Sequence, residues 1–153
     1  MDAGAERGRM TQVDFYLHAE DKVHTAVRLA NKAYQLGRKL TVYCRDEALA
    51  GHFDRVLWTT PAIGFVPHCD GADRLAPGTP VVIDRTGETP HHDDILINLD
   101  GERPPYFSRF HRLIEIVSTD EEDRQRARVR YKFYRDRGYD IRTHDLAKSG
   151  TAG

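Results

Sequence analysis

Apolar positions recur along this chain with two alternating periods. Val13–Leu17 (V-D-F-Y-L) is a short apolar and aromatic run that reads as a strand. Over Lys22–Leu36 the positions Val23, Ala26, Val27, Ala30, Ala33 and Tyr34 fall at helical spacing, and Gly37 stands where a helix commonly ends. Lys39–Cys44 (K-L-T-V-Y-C) predicts a second strand. Asp46 then predicts the cap of a helix over Glu47–Leu57, with Leu49, Phe53, Val56 and Leu57 on one stripe. Pro80–Asp84, Asp94–Leu99 (D-I-L-I-N-L) and Arg112–Val117 (R-L-I-E-I-V) read as three more strands, and Pro104–Phe110 as a short helix with proline at its start. Strands and helices alternating over short joins build a parallel sheet with right-handed crossovers. The expected fold is therefore α/β, a single domain with a mostly parallel central sheet and helices on both faces.

The last strand leads into the most polarised stretch, Ser118–Gly138 (S-T-D-E-E-D-R-Q-R-A-R-V-R-Y-K-F-Y-R-D-R-G). Ser118 with Glu121, or Thr119 with Glu122, has the spacing of a capping box. Acids fill the first turn, bases the last turns, and Gly138 takes the position after the end, so the charge order follows the helix dipole over about five turns. At 100° per residue Arg124, Arg128, Tyr131, Lys132 and Arg135 share an arc of roughly 100°. Ala127 and Tyr134 flank that arc, so the basic stripe borders an apolar seam. Such a face suits a partner that carries both negative charge and a hydrophobic side chain. It is equally the pattern of a solvated helix surface, or of one that tracks nucleic-acid phosphates.

The regular alternation breaks at Trp58–Thr79, where prolines and glycines forbid a long helix although Trp58, Ile63, Phe65, Val66 and Leu75 are apolar. A loop of that length is either functional or folded back onto the core.

Composition narrows the possibilities. The 153 residues suit one domain with one sizeable core, and the net charge of -1 provides no global field for nucleic acid or membrane. Two cysteines, Cys44 and Cys69, without CxxC spacing fit unpaired thiols in a reducing cytoplasm. No apolar run is long enough to span a bilayer. Residues 1–9 read as a disordered leader before a second methionine, Met10, residues 10–146 as the folded domain, and residues 147–153 as a disordered tail. After the first strand the turn is His18-Ala19-Glu20-Asp21, with no glycine cradle for phosphates, and no Walker or nucleophile-elbow motif is present. His91-His92-Asp93-Asp94 has ligand types without convergent spacing, and His68 beside Cys69 does not make a catalytic pair. No cofactor, no metal and no catalytic residue is expected.

In combination, F-Y-L near the start, L-W-x-x-P-x-x-x-F-V-P-H at Leu57–His68, D-I-L-I-N-L at Asp94–Leu99 and A-R-x-R-Y-K-x-Y-R-x-x-G at Ala127–Gly138 resemble the chi subunits of bacterial DNA polymerase III. The pieces occur in family order from Val13 to about Thr143. The resemblance implies a Rossmann-like α/β domain without a nucleotide-binding glycine loop, a non-catalytic accessory subunit of a DNA-directed DNA polymerase. It implies an adaptor, as a monomer or a heterodimer with psi, that links the psi subunit of the clamp loader to the single-stranded-DNA-binding protein and so reaches DNA indirectly. That binding protein ends in an acidic tail with a terminal Pro-Phe. By position, Arg124, Arg128, Tyr131 and Lys132 match the family's tail-binding face, Val117 lines its pocket, and Trp58 and Phe65 match positions that dock psi. Arg124 stands where the family carries lysine, which keeps the charge and changes the donor geometry. His68 completes the F-V-P-H motif with no physical role evident from sequence. The alternatives are a module that binds single-stranded nucleic acid directly and, behind it, a nucleotide-using α/β enzyme.

Overall fold

The computed structural model describes residues 10–59, 66–73, 75–88 and 90–149. In chain order the elements are β1 (Gln12–Ala19), α1 (Lys22–Gln35), β2 (Leu40–Tyr43), α2 (Glu47–Thr59), β3 (His68–Asp70), β4 (Val81–Asp84), β5 (Ile95–Asn98), β6 (Arg112–Ser118), α3 (Glu121–Asp136), β7 (Ile141–Asp145) and the single turn α4 (Leu146–Ser149). The strands form one seven-stranded sheet in the order β3-β4-β2-β5-β6-β1-β7, and every pairing is parallel. The expected α/β class and parallel sheet are both observed.

Direction of travel fixes which face each helix covers. The connections β1–α1–β2 and β2–α2–β3 run toward the β3 edge, whereas β6–α3–β7 runs toward the β7 edge. Right-handed crossovers travelling in opposite directions must lie on opposite faces of the sheet. The core divides accordingly. Val27 and Ala30 of α1 and Phe53 and Leu57 of α2 pack on Leu40, Val42, Ile95, Ile97, Ile114 and Ile116. Ala127 and Tyr134 of α3, with Tyr106, Phe107 and Phe110 of the β5–β6 connection, pack on Val13, Phe15, Leu96, Leu113 and Val117. The two-residue alternation within β1, β5 and β6 supplies both faces from the same strands.

Helix ends follow local chemistry. Asp21 accepts from His24 N at 3.0 Å and caps α1. Asp46 accepts from Ala48 N and Leu49 N at 2.9 and 3.2 Å, as its sequence position predicts. Gly138 adopts φ +81°, the left-handed conformation open to glycine, and Tyr139 N donates to Tyr134 O while Gly138 N donates to Arg135 O, closing α3 in a Schellman motif.

The start of α3 corrects the expected capping box. Neither Ser118 with Glu121 nor Thr119 with Glu122 forms it. Asp120 is the cap and accepts from Asp123 N at 3.0 Å. Asp123 reaches back to Ser118 N and Ser118 Oγ at 2.8 and 2.9 Å, and its other oxygen takes Lys22 Nζ at 3.0 Å. Burial alone would raise the Asp123 carboxyl, but the Lys22 ammonium and the Ser118 donors hold it below the ordinary carboxylate range. Other differences are smaller. The helix at Pro104–Phe110 shortens to one 3₁₀ turn, Phe107–Arg109, and α2 runs on through Trp58 to Thr59.

Sequence periodicity also misses a buried polar cluster beneath α3. Glu115, fully buried on β6, accepts from Arg130 Nε at 3.0 Å, Asn98 Nδ2 at 3.1 Å and Tyr134 Oη at 2.6 Å. Arg130 also donates to Gly101 O at 2.8 Å. Burial and the adjacent Glu115 push the Tyr134 phenol upward, so it stays protonated and donating. Tyr134 therefore joins this cluster through its hydroxyl, while its ring packs with Phe15 and Ala127 in the apolar core beneath α3. With Arg130 and Tyr134 turned into the sheet, the helix rotation leaves Arg124, Arg128 and Tyr131 on the side facing the end of β1.

Candidate functional site

A cleft of about 220 Å³ opens between α3 and the carboxyl ends of β1 and β6. Open parallel sheets present ligand sites at this end of their strands. Phe15 and Leu17 from β1, Val117 from β6 and Ala127 from α3 give it an apolar floor; His18, Ser118, Arg124, Arg128 and Tyr131 complete its lining. Phe15, Val117 and Ala127 are buried, and the Tyr131 ring meets Phe15 edge-on with centroids 5.2 Å apart, so Tyr131 forms a fixed wall. A cavity of about 150 Å³ suffices for a benzene ring. The cleft is thus large enough for a phenyl group and part of a polar chain.

The charges at its rim are weakly held. Arg124 Nη1 and Arg128 Nη1 lie 3.5 and 3.8 Å from the two oxygens of the same carboxylate, Glu121, at an exposed surface. Pairs of this kind contribute little, so an incoming anion displaces them at small cost. His18, near the end of β1, also lines the cleft. It has φ +63°, falls where the β1–β6 register slips between Tyr16 and Ala19, and its Nδ1 is 2.7 Å from Asp145 Oδ1.

Four of the five residues expected at a tail-binding face, Val117, Arg124, Arg128 and Tyr131, line this one cleft. Lys132 does not: its ammonium is engaged one turn on by Asp136 at 2.5 Å. Phe15, Leu17 and His18 are lining residues that the helix pattern could not reveal, because β1 is brought to α3 only by the sheet order. Their one sequence signal is position at the end of the first strand.

Trp58 lies elsewhere, in the last turn of α2, with 58 % of its surface exposed and its ring edge-on to His68 at 5.0 Å. Phe65 is outside the described residues. His68 acquires a structural role: Nδ1 donates to Val66 O at 2.7 Å, and Nε2 lies 3.0 Å from Asp54 Oδ1 without hydrogen-bond alignment. The ring thereby ties the start of β3 to α2.

A second cleft of about 220 Å³ lies over β3 and β4, lined by Thr41, Asp70, Asp84 and His91 among others. Asp70, Asp84, Thr86 and His91 are already engaged. Tyr106 Oη, Thr86 and Gly87 N donate to Asp84, Asp70 pairs with Arg85 at 2.8 Å, and His91 bonds Gly71 O. The His91-His92-Asp93-Asp94 run disperses: His92 bonds Thr41 and Asp94 grips Arg38. Among the described residues no group of three or more His, Cys, Asp or Glu could hold a metal ion, and no helix is long and apolar enough to cross a membrane. Cys44 is buried, which pushes its thiol up to about 11 and leaves it unreactive near neutral pH.

With this geometry in place, comparison with known proteins is decisive. The family model of the DNA polymerase III chi subunit, HolC, matches residues 10–142. The chain belongs to the chi-subunit family. It is 35% identical to the DNA polymerase III subunit chi of Pseudomonas aeruginosa over 144 residues, covering 91% of this chain and 99% of that protein. The chi subunits of Haemophilus influenzae and Escherichia coli are each 31% identical, over 86% and 75% of this chain and 95% and 79% of their own lengths. Family membership makes this chi-family chain a replication accessory protein, in accord with the motifs read at Leu57–His68, Asp94–Leu99 and Ala127–Gly138.

Proposed function

We propose that this chi-family protein is a non-catalytic adaptor of the cytoplasmic replication machinery. In this reading the α3 cleft binds the acidic C-terminal tail of single-stranded-DNA-binding protein, and Trp58 and Phe65 dock the psi subunit of the clamp loader. The protein acts as a monomer or a heterodimer with psi and reaches DNA only through these partners. The observation that carries the reading is the meeting, in one cleft, of an apolar floor (Phe15, Leu17, Val117, Ala127) with two weakly paired arginines. A terminal phenylalanine ring fits the floor against Tyr131, while Arg124 and Arg128 leave Glu121 for the tail's carboxylates. Charge-assisted hydrogen bonds and aromatic burial then act together. Lys132, released from Asp136, adds a nearby positive charge along the approach.

Direct contact with single-stranded nucleic acid is the second reading, favoured by a different surface. Arg103 and Arg137 both lie over the Phe133 ring, at 3.5 and 3.7 Å from its centroid, and both are exposed, so the surface offers cations beside an aromatic ring to bases and phosphates. Amide and methyl chemical-shift mapping separates the two. An acidic peptide ending in Pro-Phe should shift Phe15, Val117, Ala127 and Tyr131, and an oligonucleotide alone should shift none of them. Oligonucleotide shifts around Phe133 with no peptide effect would favour the second reading.

A further inference from the structure

We propose that Glu121 is a specificity-determining residue of the α3 cleft, a built-in competitor whose carboxylate occupies the two rim arginines and lowers the affinity of every incoming anion. This inference deepens, and rests on, the reading of the cleft as a site for an acidic chain end.

The helix places the three side chains together. At 100° per residue Glu121, Arg124 and Arg128 fall within about 60° of one another on α3. Arg128 lies seven residues beyond Glu121, about 10 Å along the axis, so its side chain spans most of that distance by reaching back toward the helix start, the direction in which long helical side chains lean. One carboxylate thus meets two guanidinium groups, Oε1 with Arg124 at 3.5 Å and Oε2 with Arg128 at 3.8 Å. A ligand carboxylate between the same two groups would adopt this arrangement. Both contacts exceed the roughly 2.7–2.9 Å of a charge-assisted hydrogen bond, so Glu121 fills the position without making its best bonds. Gln125 donates to the same Oε2 at 3.1 Å and helps to hold the carboxylate there.

The charge order along α3 explains why this acid is the one engaged. Arg124, Arg128 and Lys132 follow one another at i, i+4 spacing, where like charges repel and weaken a helix. One turn from Arg128, positions 124, 125, 131 and 132 are Arg, Gln, Tyr and Lys, none of them acidic. The column is relieved only toward its ends, by Glu121 beside the cleft and by Asp136, which takes Lys132 at 2.5 Å. The neighbouring acid Glu122 is on a different stripe and pairs with Arg126 at 3.4 Å.

With Glu121 in place, a ligand carboxylate exchanges one set of ion pairs for another and adds few. Glu121 opposes the charge contribution and not the burial of a ring. Anions that bring charge alone are therefore held at weak affinity, while a chain end that also fills the apolar floor still binds. This is discrimination by a repulsive element set against the unwanted ligand.

The test titrates full-length wild type, Glu121→Gln and Glu122→Gln with two N-acetylated acidic peptides of equal charge, one ending in Pro-Phe and one in Pro-Gly. Fluorescence anisotropy is read at fixed pH from ~0.1 M to ~1 M salt, over which the screening length falls from about 10 Å to about 3 Å. Glu121 is 62 % exposed, so its substitution leaves the core intact. Glu121→Gln should bind both peptides about three- to fivefold tighter at the lower salt, the factor that exposed ion pairs contribute. Its affinity should fall more steeply with salt than that of the wild type, and the gain should close toward ~1 M. Glu122→Gln removes the same charge one residue away and should change affinity by less than about twofold. Unchanged or weaker peptide binding by Glu121→Gln, or an equal gain in Glu122→Gln, would overturn the proposal while leaving the cleft as the binding site. If neither the wild type nor Glu121→Gln binds the Pro-Phe peptide at any salt, the reading of the cleft fails instead, and this inference falls with it.

Discussion

Replacing Arg130 with methionine removes the cation from beneath α3 while keeping much of the side-chain volume. Arg130 is 3 % exposed and Glu115 is fully buried, so the substitution leaves a carboxylate in the core with Asn98 and Tyr134 as its remaining donors. Breaking a buried pair from one side costs about 3–5 kcal/mol. The Gly101 carbonyl also loses its arginine donor. Domains of this size have about 5–15 kcal/mol in total, and about 1 kcal/mol shifts the midpoint by about 2–4 °C, so the variant should melt about 6–20 °C below the wild type. Glu115→Gln in the same chain removes the stranded charge and should recover part of the loss, because Tyr134 can still donate to the amide oxygen. Urea melts of the wild type, both single variants and the double variant complete the cycle. A loss below about 1 kcal/mol for Arg130→Met, or no recovery in the double variant, would refute the idea that this pair fixes α3 on the sheet.

Other outcomes can be checked with the same material. Asp123→Asn should cost about 1.5–3 kcal/mol at pH 7 by weakening hydrogen bonds to a charged group. Because the folded carboxyl lies below its ordinary range, its contribution is present above that range and is lost as pH falls through the depressed value; the gap between variant and wild type should close in acid melts toward pH 3. Trp58→Ala should change stability by less than about 0.5 kcal/mol, as its exposure predicts, yet cost about 2 kcal/mol or more in psi affinity measured by calorimetry. Arg128→Ala should weaken acidic-peptide binding by about 1.5 kcal/mol, and Lys132→Ala by about 0.5 kcal/mol, since Lys132 is engaged by Asp136 away from the cleft. Equal losses for the two in anisotropy titrations would count against the assigned geometry.

The helices and central strands were legible because their periodicity is strong: Val23, Ala26, Val27, Ala30 and Ala33 bury one face of α1, and I-L-I-N fills β5 between two cores. The edge strands were not. β3 is three residues, H-C-D, and β7 reads I-R-T-H-D; an edge half in solvent has no apolar alternation to detect. Hydrophobic spacing also cannot tell a buried arginine from exposed ones on the same helix. The available signal for Arg130 was Glu115, a charge in the middle of the apolar strand R-L-I-E-I-V that required a buried cation. At the cleft, α3 announced its own residues through the stripe of Arg124, Arg128 and Tyr131. Phe15, Leu17 and His18 stayed hidden because parallel pairing of β1 with β6 brings together residues about a hundred positions apart in the chain.

The central claim is that the α3 cleft recognises an aromatic chain end together with charge, and one comparison tests it most directly. Two acidic peptides of equal net charge and length, one ending in Pro-Phe and one with that phenylalanine replaced by glycine, are titrated against the protein at fixed pH and physiological salt. The account predicts saturable binding of the first and loss of most affinity in the second, because the phenyl ring alone can occupy the floor of Phe15, Leu17, Val117 and Ala127. Equal affinities would contradict it and reduce the face of α3 to a generic basic surface.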